Sequence, residues 1–429
     1  MTLNWVQIFR LGLVQMCLGA VVVLTTSTLN RLMVVELALP AVLPGLLVAL
    51  HYGIQITRPN WGFRSDTKGN RTVFVIGGMV ALALGAFLAA VAVVLFPSGF
   101  AGGLALSVLA YALIGVGVGA SGTSLLALLA TATHPSRRAA AATITWLMMI
   151  LGIAVTAGTV GAVLDPYTPL LLLEIVAVVT GGAVLLTTIA IWGIEKRVTA
   201  TRAPEALPFR AGMAEVWSEP RARAFTLFIF LSMTAYFMQE LILEPYAGLV
   251  FGFSPGQSTQ LSGAQNGGVF VGMLLVGIAA TGFRIGTLRM WVMAGCLGSA
   301  AALLVIAALG QVGGSLLPAV VALGFFNGMF AVAAIGSMMA LAGQGRAARE
   351  GTRMGLWGAA QAVAAGFGGL VGAAAADALR LFNDAPDAFG AVFALEAALF
   401  CVAAMIAAKV IEGRGGAIRA TGPQLLPGE

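Results

Sequence analysis

Apolar runs of about twenty residues recur along this chain, each ended by a short stretch of charged residues, Gly or Pro. A helix rises about 1.5 Å per residue, so about twenty apolar residues cross the ~30 Å hydrocarbon core of a bilayer. The pattern therefore predicts spanning helices over 11–30, 37–57, 72–95, 103–131, 138–163 and 170–194. A second six follow over 223–250, 260–281, 289–310, 315–342, 352–376 and 388–411. The longest polar interruption, Glu195 to Arg223, lies near the middle and is rich in Arg, Pro and Glu. The expected organisation is an all-α polytopic membrane protein. It comprises an N-terminal six-helix half over 1–196, a cytoplasmic connector over 197–222 and a C-terminal six-helix half over 223–412. A tail over 413–429 has no apolar period and is expected to be disordered.

Composition sharpens this picture. The chain is 59% hydrophobic and 9% charged, where a soluble protein carries roughly a quarter charged residues. Its net charge of +6 points to the membrane surface and not to nucleic acid, because of where the basic residues fall. Of the 23, all but Arg31 and Arg380 lie at the N-terminus, in alternate loops or in the tail. The positive-inside rule then places both termini in the cytoplasm. The first apolar run lacks a cleavage pattern and reads as an uncleaved span. Cys17, Cys296 and Cys401 sit far apart inside apolar runs, without metal-ligand or disulfide spacing. A weak repeat links the halves: Gly62-Phe63-Arg64 with Thr67 recurs as Gly282-Phe283-Arg284 with Thr287.

The charged island from Pro59 to Arg71 places Gly62, Asp66, Gly69 and Arg71 in the spacing G-x-x-x-D-x-x-G-x-R. Glycines permit tight turns beside helix ends, and an aspartate can accept from helix N-terminal N–H groups. The spacing resembles the loop between the second and third helices of the major facilitator superfamily. That resemblance implies a two-half, carrier-like fold with these four residues as a gating or conformational loop. In the second half Gly286 stands where Asp66 stands in the first, and the fourth span, Gly103 to Thr131, carries no charge. The absence of a basic residue there weighs against proton antiport.

Ionisable side chains inside a membrane are functional candidates by default. Here they are His51, Glu174, Glu240, Glu244 and Glu396. His51 lies about two turns inside Arg58 and reads either as a metal ligand or as a hydrogen-bond partner of Gln55, one turn on. Glu240 and Glu244 are four apart and share a helix face, and Pro245 is expected to bend or end that helix. Two carboxylates so close repel when both are ionised. Coupling to protonation is one reading, and a helix end capped into the following loop is the other.

The stretch Gln239-Glu240, Leu243-Glu244-Pro245-Tyr246, Gly248, Val250-Phe251-Gly252, Ser254, Gly256-Gln257, Thr259 and Leu261 resembles the PucC/LhaA family. So do the entry to the first loop, Thr57-Arg58-Pro59-Asn60-Trp61-Gly62 to Asp66, and the opening Phe9-Arg10-Leu11-Gly12-Leu13 with Leu29-Asn30-Arg31 and Glu36. This is the bacteriochlorophyll-delivery branch of the major facilitator superfamily. The resemblance implies a membrane assembly factor that binds or delivers bacteriochlorophyll a or a precursor for light-harvesting antenna complexes in a phototrophic bacterium. It would sit in the cytoplasmic or intracytoplasmic photosynthetic membrane. Expected partners are antenna polypeptides, chlorophyll synthase, membrane insertion machinery and the lipid bilayer. On this resemblance His51, with Gln55, becomes a candidate axial ligand to the pigment's Mg, and Glu240, Glu244, Pro245 and Tyr246 a gate or partner contact. Some members are labelled bacteriochlorophyll synthase subunits, so an accessory role in pigment biosynthesis is one alternative. A secondary transporter of an amphipathic solute is the other. The chain shows no prenyl-diphosphate motif, nucleophile–base pair or nucleotide fingerprint, and the expectation is that it is not an enzyme.

Overall fold

A computed structural model describes residues 2–58, 61, 70–134, 137–195, 217–283, 285–342 and 350–411. Among these there is no strand. The helices are α1 Trp5–Glu36, α2 Val42–Thr57, α3 Arg71–Ser98, α4 Phe100–Ala132, α5 Arg138–Val163 and α6 Pro169–Ile191. They continue as α7 Pro220–Phe251, α8 Pro255–Gly277, α9 Leu288–Val312, α10 Leu317–Ala342, α11 Glu350–Arg380 and α12 Ala385–Val410. All but α2 are long and apolar enough to cross a membrane; α2 is shorter, and the chain is a multi-pass membrane protein.

Local sequence explains the ends. Asn4 and Gln7 form a capping box at the start of α1, with Gln7 N donating to Asn4 Oδ1 at 2.8 Å and Asn4 N to Gln7 Oε1 at 2.9 Å. Ser254 and Gln257 do the same for α8. Gly252, at φ +68°, ends α7 in the left-handed conformation that glycine tolerates. The second span starts five residues later than the pattern predicts: α1 runs on through the expected loop to Glu36, and residues 37–41 become the link. Arg31, expected in an outer loop, is therefore inside α1 and buried. Pro220 to Ala222, assigned to the connector, already belong to α7. The remainder of the connector (197–216) and the tail (413–429) lie outside the described residues, as do Gly62, Asp66 and Gly69.

Helix neighbours repeat with a shift of six. In the first set α3 packs on α4 and α6, α1 on α5 and α6, and α2 on α4. In the second set α9 packs on α10 and α12, α7 on α11 and α12, and α8 on α10. Each set has its own apolar core, one running from Leu3 to Ile194 and the other from Phe225 to Ile411. The two sets meet where α5 crosses α8 and α2 crosses α11. Small residues allow these approaches: a Cβ on Gly117 of α4 would stand 2.4 Å from Leu82 N and 2.7 Å from Gly78 O of α3.

The helices alternate, so both termini share one end, called here the terminal end. Leu3 N donates to Ala132 O at 2.8 Å there, and Arg10 Nε to Ala190 O at 2.9 Å. Arg71 opens α3 at this end. Its backbone N–H and that of Thr72 donate to the two oxygens of Glu195, both at 2.8 Å, and its Nη1 donates to Thr131 Oγ1 at 2.6 Å. The carboxylate that caps α3 thus comes from the end of the sixth span.

Three helices depart from the regular ladder, α8 only where it runs out through a π-helical turn, Ile278–Gly282. α1 contains two π-helical segments, Leu24–Thr28 and Leu32–Glu36, a widening that often marks functional sites. α7 carries Pro245 in its interior and continues to Phe251; of the two expectations for Pro245, that it bends or ends the helix, ending is the one not met. Proline supplies no N–H to the carbonyl four residues back, Leu241 O. Asn30 Nδ2 of α1 donates to that carbonyl at 2.8 Å and replaces the missing bond.

Two outcomes check this packing. Gly117→Val overfills the α3–α4 contact and is expected to cost about 1–3 kcal/mol, lowering the apparent melting midpoint in fluorescence-detected size exclusion after heating. Gly181→Val, where an added Cβ has nothing within 4 Å, should leave that midpoint unchanged. Asn30→Ala leaves the Leu241 carbonyl unpaired at a cost of about 1–3 kcal/mol. Pro245→Ala restores an internal donor, so the double variant should lose clearly less stability than the two single losses summed.

Candidate functional site

The residues with most chemical potential gather where α1 meets α7. Tyr236, Glu240 and Glu244 succeed one another at four-residue steps on one face of α7. Opposite them α1 presents Thr25-Thr26-Ser27-Thr28, four consecutive buried hydroxyl residues within the first π-helical segment. Ser27 donates to Glu244 Oε1, and Ser262 of α8 lies beside the same carboxylate. Glu244 is 2% exposed, and its Oε2 has no hydrogen bond among the described residues. The Thr26 hydroxyl donates to Val22 O of its own helix at 3.4 Å and lies on the side of Glu240, whose charge Tyr52 and Tyr236 also sense. Ionised carboxylates held away from water cost several kcal/mol each unless matched; here Ser27 meets one oxygen of Glu244 and the other is left unmatched among the described residues.

Arg31, 2% exposed, ties α1 to the link between α7 and α8. Its Nη2 donates to Phe253 O at 2.6 Å, its Nε to Ser258 Oγ at 3.3 Å, and its Nη1 to Glu36 Oε1 at 2.5 Å. Thr28 and Thr259 hydroxyls lie 3.3 Å apart beside it. The stretch that carries the family resemblance, at the end of α7 and the start of α8, is thus the surface on which the first half is fastened to the second.

His51 is buried on α2 and stacks on Tyr52, ring centroids 4.7 Å apart. Arg58 donates to Gln55 Oε1, which turns the Gln55 amide nitrogen toward His51 Nε2 at 2.7 Å. Nε2 therefore accepts, the ring proton sits on Nδ1, and Nδ1 is buried without a partner among the described residues. The pairing of His51 with Gln55 is present, and in this arrangement neither ring nitrogen offers a free lone pair to a metal. Tyr52, not His51, reaches the second half, its ring 5.9 Å from Phe237 of α7.

Tyr246 lies elsewhere. Its hydroxyl donates to Ile306 O of α9 at 2.7 Å, and its ring packs among Phe251, Phe389 and Phe393. It anchors α7 in the second core and does not join Glu244. Glu174 is exposed on α6, and Glu396 is buried in the second core with both oxygens unpartnered among the described residues. Sequence reasoning passed over Tyr52, Tyr236 and the hydroxyl run at 25–28. Four hydroxyl residues in a row inside an apolar span, and a Tyr four residues before Glu240, were the signals available.

Comparison with known proteins agrees with this fold. The chain matches a bacterial homologue of the human lysosomal transporter Spinster, in an inward-facing and unoccupied conformation, with a TM-score of 0.69 at 15% identity. That match covers 95% of this chain and 98% of the other and places the chain in the major facilitator fold. It is 72% identical to the bacteriochlorophyll synthase 44.5 kDa chain of Rhodobacter capsulatus, over 97% of this chain and 98% of that one. It is 30% identical to protein PucC of Cereibacter sphaeroides, over 91% of this chain and 89% of that one. The first of these relatives corrects one expectation. The missing catalytic motifs suggested a protein that is not an enzyme, yet a relative alike along its whole length is named as a chain of one. Residues 28–415, from within α1 to beyond α12, match the family described as PUCC protein, and the chain belongs to that family.

Proposed function

We propose that this protein binds bacteriochlorophyll within the membrane and delivers it for assembly of light-harvesting antenna complexes, in the cytoplasmic or intracytoplasmic membrane of a phototrophic bacterium. The observation that carries the reading, beside family membership, is the make-up of the region between the halves. Apart from the Ser27–Glu244, Thr28–Thr259 and Arg31 bonds that fasten the halves together, a small group of polar side chains, Thr26, Tyr52, Tyr236 and Glu240, stands beside aromatic side chains such as Phe237. A polar solute needs many matched partners once it leaves water. A large apolar macrocycle with a few carbonyl groups needs only the few donors that two tyrosines and a threonine supply.

The geometry favours Tyr52, Tyr236 and Glu240 as the groups that orient the pigment. His51 would serve as axial ligand to its Mg only after Gln55 gives up Nε2; as found, it braces the terminal end of α2 with Gln55 and Arg58. Glu244, bonded to Ser27, reads as a contact between the halves and not as a pigment contact. The relative named as a synthase chain supports a second, compatible role in the enzymatic step that makes the pigment. A protein that receives bacteriochlorophyll at the site of its synthesis and passes it to antenna polypeptides satisfies both names.

Protein purified in mild detergent from a pigmented host is expected to carry extractable bacteriochlorophyll. Tyr52→Phe combined with Tyr236→Phe should lower the occupancy several-fold, whereas His51→Ala should change occupancy little and lower stability instead. A folded, pigment-free preparation argues against stable binding. Loss of pigment in His51→Ala, with the tyrosine pair indifferent, restores His51 as the ligand.

A further inference from the structure

The end opposite the termini, the far end, joins the halves at two related places. Asp165, in the link between α5 and α6, accepts from Gly256 N at 3.1 Å and from the Ser254 hydroxyl, at the start of α8. Asp377, in the last turns of α11, accepts from Val42 N at 2.7 Å, at the start of α2. Each bond crosses from one half to the other. A shift of six helices turns the first pair, α5 with α8, into the second, α11 with α2.

Both aspartates do the same physical work. The first N–H groups of a helix have no partner within it and carry the positive end of its dipole. α2 has Ala41 at its cap position, which cannot bond them, and Asp377 of the other half supplies the acceptor. α8 already has its own capping box, so Asp165 adds a bond between halves to a helix start that is otherwise complete. The approach depends on Gly256, where a Cβ would stand 2.4 Å from Asp165 Oδ2 and 2.6 Å from Gly161 O. The counter-charge nearest Asp377 is Arg380, with Nη1 3.9 Å from Oδ1. Asp377 is thus held chiefly by the helix start it caps.

We propose that Asp165 and Asp377 form a paired latch that closes the far end, each holding one crossing, so that the interior opens there only when both are released. The Arg31 bonds to Phe253 and Ser258 lie beside the first crossing and align the link that Asp165 grips.

A reporter tests this directly. In a chain with Cys17→Ala, Cys296→Ala and Cys401→Ala, Ser262→Cys sits on α8 one turn behind Ser258 and is buried. Sealed vesicles of each orientation are treated with a membrane-impermeant maleimide. The parent and each single variant, Asp165→Asn or Asp377→Asn, should react from the far-end face slowly. The double variant should react from that face at least about tenfold faster. Equal rates in parent and double variant, with the cysteine reactive after SDS, would overturn the latch. Opening by either single variant would overturn the pairing. If the double variant does not fold, Asp165→Cys with Ser254→Cys, in a chain that keeps Asp377 and Ser262, provides the second arm. Copper-phenanthroline should cross-link that pair in membranes, because Asp377 still holds the far end shut. Failure to cross-link contradicts the proposal.

Discussion

Hydrocarbon offers no hydrogen bonds, so every backbone polar group of a spanning helix must find a partner inside the protein. Among the described residues the breaks in that ladder that lie beside the polar groups are in α1 and α7. α1 widens into two π-helical segments, and α7 carries a proline that leaves the Leu241 carbonyl without its usual donor. A neighbouring helix supplies a bond at two of these three places: Asn30 of α1 bonds Leu241 O, and Tyr111 of α4 bonds Thr25 O at 3.0 Å. These irregular helices are the ones on which the polar groups converge. The breaks, the repairs and the site therefore belong to one arrangement.

This explains why the fold was more legible in the sequence than the site. Twelve apolar runs and the glycine spacing of the first loop point to the carrier architecture with no knowledge of contacts. The boundary at Glu36 was missed because Arg31 and Glu36 look like loop residues by charge, whereas here they pair with each other inside a helix. Glu240 and Glu244 were visible as two acids on one face. Their separate roles were not, because those depend on which hydroxyls of α1 face each acid, and a π-helical segment shifts the register that ordinary periodicity assumes. His51 drew attention as a lone histidine in an apolar run. Only the direction in which Arg58 turns Gln55 shows that its accepting nitrogen is engaged.

The family match and the internal chemistry point the same way. A carrier architecture with few charges between its halves suits a ligand that is itself largely apolar. A relative 72% identical to this chain is named as a chain of bacteriochlorophyll synthase.

The central claim is transfer, and transfer can be measured. The purified protein, loaded with bacteriochlorophyll, is placed in liposomes with pigment-free antenna polypeptides, and the antenna absorption band is followed in time. The account predicts that the band grows faster than with the same amount of pigment supplied in liposomes without the protein, and that the Tyr52→Phe, Tyr236→Phe double variant loses most of the gain. Growth at the same rate with and without the protein would contradict it.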